Sequence, residues 1–123
     1  MLIVEDDPNS VEYMSEVLVT TGLNCLYAST GEEVMQIFHD TPSIELVLMD
    51  ILLPDTSGFL LTRTMKKENP KLVIIAQTAY SSPSDIEESI KAGCSGHISK
   101  PINSKKLMDI LDEYLVGTKG YIS

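Results

Sequence analysis

Short apolar runs alternate with amphipathic stretches about five times along the chain. The apolar runs predict strands at Leu2–Val4, Cys25–Ala28, Leu46–Met49, Val73–Ala76 and His97–Ser99. The amphipathic stretches predict helices over Asn9–Thr21, from the Thr30-Gly31-Glu32-Glu33 capping box onward, over Phe59–Glu68, from Ser82-Pro83 to Gly93, and over Ser104–Val116. Runs such as Leu46-Val47-Leu48-Met49 do not alternate with polar residues, which is typical of parallel strands covered on both faces. The pattern therefore predicts a doubly wound α/β fold with a parallel five-stranded sheet.

Composition fits one folded domain. The chain has 123 residues, 43% of them hydrophobic and 22% charged, so there is enough apolar surface for a core. We predict that the domain covers residues 1–116 and that residues 117–123 form a tail or the start of a linker. No apolar run approaches the roughly 20 residues that cross a bilayer, and no basic, secretory start is present. These features predict a soluble, cytoplasmic protein without membrane contact.

The charge balance disfavours nucleic acid as a direct partner. Acidic residues outnumber basic ones 18 to 9, which gives a net charge of −9, whereas nucleic-acid binding depends on Lys and Arg that neutralise phosphates. Cys25 and Cys94 form no metal-binding or redox motif. We interpret both as buried or half-buried thiols.

Polar residues follow the predicted strands at the points where the strands end. Asp6 and Asp7 follow the first strand, Asp50 ends the third, Thr78 follows the fourth and Lys100 follows the fifth. Taken singly, each has a structural explanation, such as a helix N-cap, a turn residue or a solvated charge. Because the carboxyl ends of parallel strands share the edge where open α/β sheets bind ligands, we expect the five side chains to converge.

Electrostatics indicates what such a site needs. Three clustered carboxylates cannot all stay ionised without compensating charge, and Mg²⁺ suits a small site built from oxygen ligands. The acids contribute −3, the metal +2 and Lys100 +1, so the cluster is neutral and can receive a phosphoryl group. Asp50 lies between the acid pair and the Lys100 and Thr78 donors, which predicts a nucleophile that forms an aspartyl phosphate. Lys100 and Thr78 would then contact phosphoryl oxygens.

Four motifs in this order carry a resemblance that covers nearly the whole chain. They are Leu2-Ile3-Val4-Glu5-Asp6-Asp7, Met49-Asp50-Ile51-Leu52-Leu53-Pro54-Asp55-Thr56-Ser57-Gly58, Gln77-Thr78-Ala79 and Ser99-Lys100-Pro101. The chain resembles the receiver domains of two-component response regulators. The resemblance implies a flavodoxin-like sheet of strand order 2-1-3-4-5 and Asp50 as the phosphoacceptor. It also implies Mg²⁺ held by Asp6, Asp7, Asp50 and the Leu52 carbonyl, and a cis bond before Pro101 that aims Lys100 inward.

Two positions depart from the family pattern. Family members usually carry Tyr or Phe where this chain has His97, and their switch couples that ring to the hydroxyl equivalent to Thr78. His97 is therefore either a smaller switch residue or a half-exposed strand histidine without a switching role. Leu53 replaces a frequent Met, which is a volume-conserving change.

The resemblance implies a histidine kinase or a histidine phosphotransfer domain as partner, with the chain itself a monomer or weak dimer. A docking patch would consist of Pro8, Val11, Met14 and Ile102. Helical spacing equally allows Val11 and Met14 to be core residues.

The lifetime of an aspartyl phosphate depends on the water that attacks it. Leu52 and Tyr80 should flank that approach, and neither can orient a water as a carboxamide or carboxylate would. We therefore predict slow self-dephosphorylation, unless both side chains point to solvent and leave the rate ordinary.

Other functions and contexts also fit parts of the sequence. A magnesium-dependent phosphohydrolase of the haloacid-dehalogenase type uses Asp-x-Asp, but Leu52 stands at the second acid and cannot transfer a proton. A receiver-like adaptor without phosphorylation would not need Asp6, Asp7, Asp50, Thr78 and Lys100 together. The sequence therefore favours a signalling domain over a turnover enzyme, whether free-standing or part of a hybrid kinase.

Overall fold

A computed structural model describes residues 1–79 and 83–114. Its strands are β1 Leu2–Val4, β2 Leu26–Ala28, β3 Leu46–Asp50, β4 Val73–Thr78 and β5 Gly96–Ser99. Its helices are α1 Pro8–Val19, α2 Gly31–Asp40, α3 Gly58–Glu68, α4 Pro83–Ala92 and α5 Ser104–Tyr114. The predicted ends of the domain and of the last helix, and the boundary of the tail, lie outside the described residues.

The strands of this part of the chain form one parallel sheet in the order β2-β1-β3-β4-β5. Val4 lies beside Ala28 on one side and Met49 on the other, so β1 is a central strand. The strand order reverses between β1 and β3, which is where a doubly wound sheet opens its ligand-binding crevice. The predicted flavodoxin-like fold and strand order are confirmed.

Two apolar cores cover the two faces of the sheet. Alternate residues of β1 and β3 enter different cores, because successive strand side chains point to opposite faces. The core on the side of α2 and α3 contains Leu2, Val4, Val34, Phe38, Val47, Met49, Leu61, Met65 and Ile74. The core on the side of α1 and α5 contains Ile3, Met14, Leu18, Leu46, Leu48, Ile75, Ile98, Leu107 and Leu111. Burial on both faces explains the unbroken apolar runs of the central strands.

Element boundaries differ from the predicted ones by one or two residues where pairing or capping decides the end. β4 extends through Gln77 and Thr78 because both residues pair with β5. The Thr30 side chain accepts a hydrogen bond from the Glu33 amide at 3.2 Å, so the predicted N-cap of α2 is present. The returning Glu33 carboxylate accepts from the Ser29 amide and hydroxyl.

Within the described residues, no helix is long and apolar enough to cross a membrane. Cys25 and Cys94 are both half-buried and unbridged, and burial raises the pKa of each thiol. This agrees with the structural role predicted for them.

Candidate functional site

The carboxyl ends of three strands bring one lysine against two buried carboxylates. Lys100 Nζ lies 3.0 Å from Asp50 Oδ2 and 3.3 Å from Glu5 Oε1. The Asp50 and Glu5 residues are each 2% exposed, and the lysine side chain is 30% exposed. Glu5 and Asp50 follow neighbouring strands, so the ammonium group links the ends of β1 and β3 from the end of β5.

Glu5, Lys100 and Asp50 form an ion triad, and the pKa values of Glu5 and Lys100 are shifted within it. Burial raises the pKa of Glu5, and the nearby Asp50 charge adds to this, while the Asp7 amide and the Lys100 charge oppose it. Burial alone would lower the pKa of Lys100, but its hydrogen bond to Asp50 and the charges of Asp50 and Glu5 outweigh burial and raise it. Lys100 therefore stays charged at neutral pH, because two carboxylates share its single positive charge.

A third carboxylate completes a cluster with the chemistry of a cation site. One carboxylate oxygen from each of Glu5, Asp6 and Asp50 lies within 4.8 Å of the others, and Asp6 is exposed. These acids contribute −3 and Lys100 +1, which leaves −2. A divalent cation with a preference for oxygen would neutralise this excess, and Mg²⁺ needs few protein ligands because it keeps several waters. The residues present therefore fit Mg²⁺.

Asp7 lies outside this cluster of carboxylate oxygens, although the resemblance includes it in the ligand set. Its side chain caps α1 by accepting from the Asn9 amide at 3.3 Å and from the Ser10 hydroxyl at 2.9 Å. Glu5, which that ligand set does not include, lies in the cluster instead. The sequence Asp7-Pro8-Asn9 indicates this capping role, because an Asp before a Pro at the first helical position is a typical N-cap.

The loop after Asp50 is fixed to that residue. The Leu52 amide donates to Asp50 Oδ1 at 3.0 Å, and an isolated bridge pairs Leu52 with Ser57. The Gly58 amide donates to the Ile51 carbonyl at 3.1 Å. A cleft of about 450 Å³ opens above this loop, and Asp50, Leu52, Thr78 and Lys100 line it together with Ile51, Leu53, Thr56, Ser57, Phe59, Ala79 and Asp85. The structure thus places the predicted acceptor and both predicted donors on one open cleft.

Asp55 ties the same loop to the start of α2, which the sequence analysis did not predict. Its carboxylate accepts from the Gly31 amide at 2.8 Å and from the Glu32 amide at 3.3 Å. These backbone hydrogen bonds lower the pKa of Asp55. Gly31 suits this contact because a Cβ there would collide with the Thr56 side chain. A cap supplied from a distant loop leaves no local sequence signal.

Thr78 and His97 lie on a second, internal cavity. Thr78 is 4% exposed and its carbonyl accepts from the Lys100 amide at 2.8 Å. The cavity between Thr78 and the exposed His97 measures about 10 Å³ and is also lined by Ala76, Ile86 and Ser89. An imidazole ring cannot enter so small a space unless a lining side chain moves first. The Lys100–Pro101 bond is cis, as the resemblance implies.

A groove of about 590 Å³ borders the ion triad between α1 and the loop after β5. Of the predicted docking residues, Pro8 is exposed, whereas Val11 and Ile102 are half-buried. Met14 is 1% exposed and packs in the core, so its surface role was wrong and it contributes only to the floor of the groove.

Tyr13 was missed by sequence reasoning. Its side chain lines the groove and its hydroxyl accepts from the Ser104 amide at 3.0 Å. Tyr13 therefore connects α1 with the start of α5 across the groove.

Comparison with known proteins defines the class of this fold and site. The family model described as response regulator receiver domain matches residues 1–112. The chain is 29% identical to the polar-differentiation response regulator DivK of Brucella ovis, over 94% of both chains. It is 32% identical to a cyclic di-GMP phosphodiesterase of Thermotoga maritima, covering 87% of this chain and 28% of that protein. A receiver domain structure from Methanospirillum hungatei, described as CheY-like, superposes with a TM-score of 0.87 at 30% identity, over 94% of this chain and 92% of the other. The chain belongs to the response regulator receiver domain family.

Gly58 gives a test of the close packing around Asp50. A Cβ at this position would collide with the Asp50 carbonyl oxygen and approach the Ile51 Cα to 2.7 Å. We expect Gly58→Ala to lower the free energy of unfolding by about 1–3 kcal/mol, because backbone atoms cannot move aside as a flexible side chain can. Urea unfolding measures this, with the exposed Thr64→Ala of the same helix as control. A Gly58→Ala protein as stable as the parent would contradict the packing described.

Proposed function

We propose that this chain is a phosphoacceptor switch, which takes a phosphoryl group from a phosphohistidine onto Asp50 with the help of Mg²⁺. The observation that carries the proposal is the Lys100 ammonium held 3.0 Å from the buried Asp50 carboxylate at the edge of an open cleft. The donor would be a histidine kinase or a histidine phosphotransfer domain, the donor class implied by family membership.

The transfer requires one bond to form and one to break. An Asp50 carboxylate oxygen attacks phosphorus, the bond between phosphorus and the donor imidazole nitrogen breaks, and that nitrogen keeps the electron pair. Lys100 stabilises negative charge on a phosphoryl oxygen, and the Thr78 hydroxyl donates a hydrogen bond to another. Asp50 is pre-positioned for this attack, because the Leu52 amide and Lys100 each bind one of its oxygens.

Glu5, Asp6 and Asp50 would hold Mg²⁺, with the Leu52 carbonyl as a further ligand implied by the family. When bound, the cation supplies positive charge against the phosphoryl oxygens. Of the acids, Asp50 alone also contacts the Leu52 amide, whereas Glu5 accepts from the Asp7 amide at 3.2 Å. Glu5 and Asp6 would therefore bind only the cation, whereas Asp50 would bind the cation and accept the phosphoryl group.

The acceptor assignment predicts the result of labelling with acetyl phosphate and Mg²⁺. The intact mass of the parent protein should rise by one phosphoryl group. Asp50→Asn keeps the side-chain shape but removes the nucleophile, so we expect no labelling. Label that persists in Asp50→Asn, for example on Asp6, would refute the assignment.

A matched pair of variants tests which acids hold the cation. We expect Glu5→Gln to weaken Mg²⁺ binding about tenfold or more, since loss of even an outer partner of a metal site costs that much. Asp7→Asn should bind Mg²⁺ as the parent does, because Asn is an equally good N-cap. Isothermal titration in metal-free buffer gives both dissociation constants. The opposite order of affinities would restore Asp7 as a ligand and remove Glu5.

The partner should dock on the groove beside the ion triad. Ile102, Tyr13 and Pro101 give the groove apolar surface. Pro8 and Val11 lie on α1 on either side of Asn9 and Ser10, which line the groove. Lys100 lines both this groove and the cleft that contains Asp50, so a histidine-bearing helix in the groove would lie beside the acceptor.

We expect Val11→Asp to slow phosphoryl transfer from the cognate partner, because it places a charge on a half-buried position of α1 directly after Asn9 and Ser10, which line the groove. Labelling by acetyl phosphate should stay at the parental rate, since a small donor needs no groove. Rates for both donors, measured on the same preparation, distinguish docking from damage to the fold. Equal losses with both donors would mean that Val11 serves only the fold.

We also propose that the phosphorylated state decays slowly, as suits a relay or a long-lived switch rather than a turnover enzyme. Leu52 is 67% exposed but also lines the cleft with Asp50, so an apolar side chain that cannot orient a water stands beside the acceptor. Tyr80, the second predicted flanking residue, lies outside the described residues. Leu52 also leaves the chain without the second acid of a phosphohydrolase, since an alkyl side chain cannot move a proton.

Decay of the purified phosphoprotein tests the role of Leu52. We expect Leu52→Asn to accelerate the loss of the phosphoryl group, because a carboxamide can orient the attacking water. Leu52→Met, a change of similar volume, should decay like the parent. If Leu52→Asn also decays at the parental rate, crowding by Leu52 does not set the lifetime.

A further inference from the structure

Gln77 is a fully buried amide directly beneath the candidate site. It is the next-to-last residue of β4, it is 0% exposed, and it lies opposite Asp50 in the pairing of β3 with β4. Its side-chain nitrogen donates to the Val4 carbonyl at 3.1 Å. Its backbone carbonyl accepts from the Ile51 amide at 3.3 Å. One residue thus contacts the end of β1 and the end of β3.

Burial of the Gln77 side-chain amide at this position lowers the stability of the fold. Among residues 1–79 and 83–114, the Gln77 side-chain oxygen has no hydrogen-bond partner. The three residues before it in β4, Ile74-Ile75-Ala76, are all buried and apolar, so an apolar side chain would suit the core better. A buried acceptor without a partner opposes folding. A residue that lowers stability in this way calls for a compensating role.

The Val4 carbonyl indicates what that role is. It belongs to the peptide bond that joins Val4 to Glu5, and the Glu5 amide of the same bond donates to the Ala28 carbonyl at 2.9 Å. Gln77 therefore holds one side of this peptide plane while β2 holds the other. This rigid plane includes the Glu5 Cα, so holding the plane fixes the point from which the Glu5 side chain leaves the backbone. The second contact, to Ile51, holds the residue that follows Asp50.

We propose that Gln77 is a positioning residue for the cation site, which keeps Glu5 and Asp50 at the spacing that Mg²⁺ requires. The inference rests on the proposed function, since it concerns the same acidic cluster. Gln77 touches neither the cation nor the phosphoryl group and acts through the ends of the two strands. The orientation of its amide is fixed chemically, because the Val4 carbonyl only accepts and must face the nitrogen.

Gln77→Met tests this role, because Met is unbranched and similar in size but lacks the N–H donor. We expect its dissociation constant for Mg²⁺ to rise about tenfold. The rate of labelling by acetyl phosphate should fall at low Mg²⁺ and return to the parental value at saturating Mg²⁺. In the metal-free protein, hydrogen exchange of the Glu5 amide should become faster. The melting temperature of Gln77→Met should fall by no more than that of the control variant Ile75→Val, because the substitution removes the unpartnered oxygen together with the donor.

Ile75→Val is the matched control. Ile75 lies two residues earlier in β4 and is equally buried, but its side chain has no group that could donate to the Val4 carbonyl. It should lower the melting temperature and leave Mg²⁺ binding unchanged. Parental Mg²⁺ affinity in Gln77→Met would overturn the positioning role alone. A loss of affinity in both variants that follows their melting temperatures would overturn it as well. Failure of the parent itself to bind Mg²⁺ would instead overturn the proposed function and, with it, this inference.

Discussion

The ion triad of Glu5, Lys100 and Asp50 is the interaction on which the rest of the site depends. Two buried carboxylates on adjacent strand ends repel each other, and only a cation between them allows both to stay ionised. Lys100 supplies that charge from β5, on the far side of β4. Lys106 supports the loop that carries it, because its ammonium donates to the Ser99 and Pro101 carbonyls at 3.4 and 3.3 Å. The triad leaves an excess of negative charge once Asp6 is counted, and the proposed divalent cation would neutralise this excess.

The sheet order makes this arrangement possible. β1 and β3 are neighbours, so the acids that follow them meet, while β4 places Thr78 between Asp50 and the loop of Lys100. The loop after β3 is held at both ends, by the Leu52 amide on Asp50 and by Asp55 on the start of α2. The proposed phosphoryl group on Asp50 would contact the Lys100 ammonium that now binds this carboxylate. Contacts thus run from Asp50 through the loop to α2, and from Asp50 through Lys100 to the Thr78 carbonyl.

The sequence was sufficient for the fold and for most of the site, for identifiable reasons. Unbroken apolar runs predicted a sheet covered on both faces, and polar residues at the strand ends predicted which edge carries Asp50, Thr78 and Lys100. The sequence pattern treated Asp6 and Asp7 as equivalent acids, although Pro8 marks Asp7 as a helix cap. Met14 was assigned to the surface because spacing alone does not separate the rim of a groove from its floor.

Other features depended on contacts between distant segments. Asp55 reaches the amides of Gly31 and Glu32 across 24 and 23 positions of the chain, and Gln77 reaches Val4 across 73. No local pattern encodes such contacts, since each side chain is ordinary within its own segment. The Asp55 cap and the buried Gln77 amide therefore became visible only when the strands and loops were placed together.

The central claim is that the triad and its cation form a receptor for a phosphoryl group on Asp50. Fluorine NMR of the protein with Mg²⁺ and beryllium fluoride, a phosphoryl mimic, tests this without any partner protein. We expect bound fluoride resonances that are distinct from those of free beryllium fluoride and that disappear when Mg²⁺ is chelated. Free resonances alone, recorded with folded protein at saturating Mg²⁺, would contradict it.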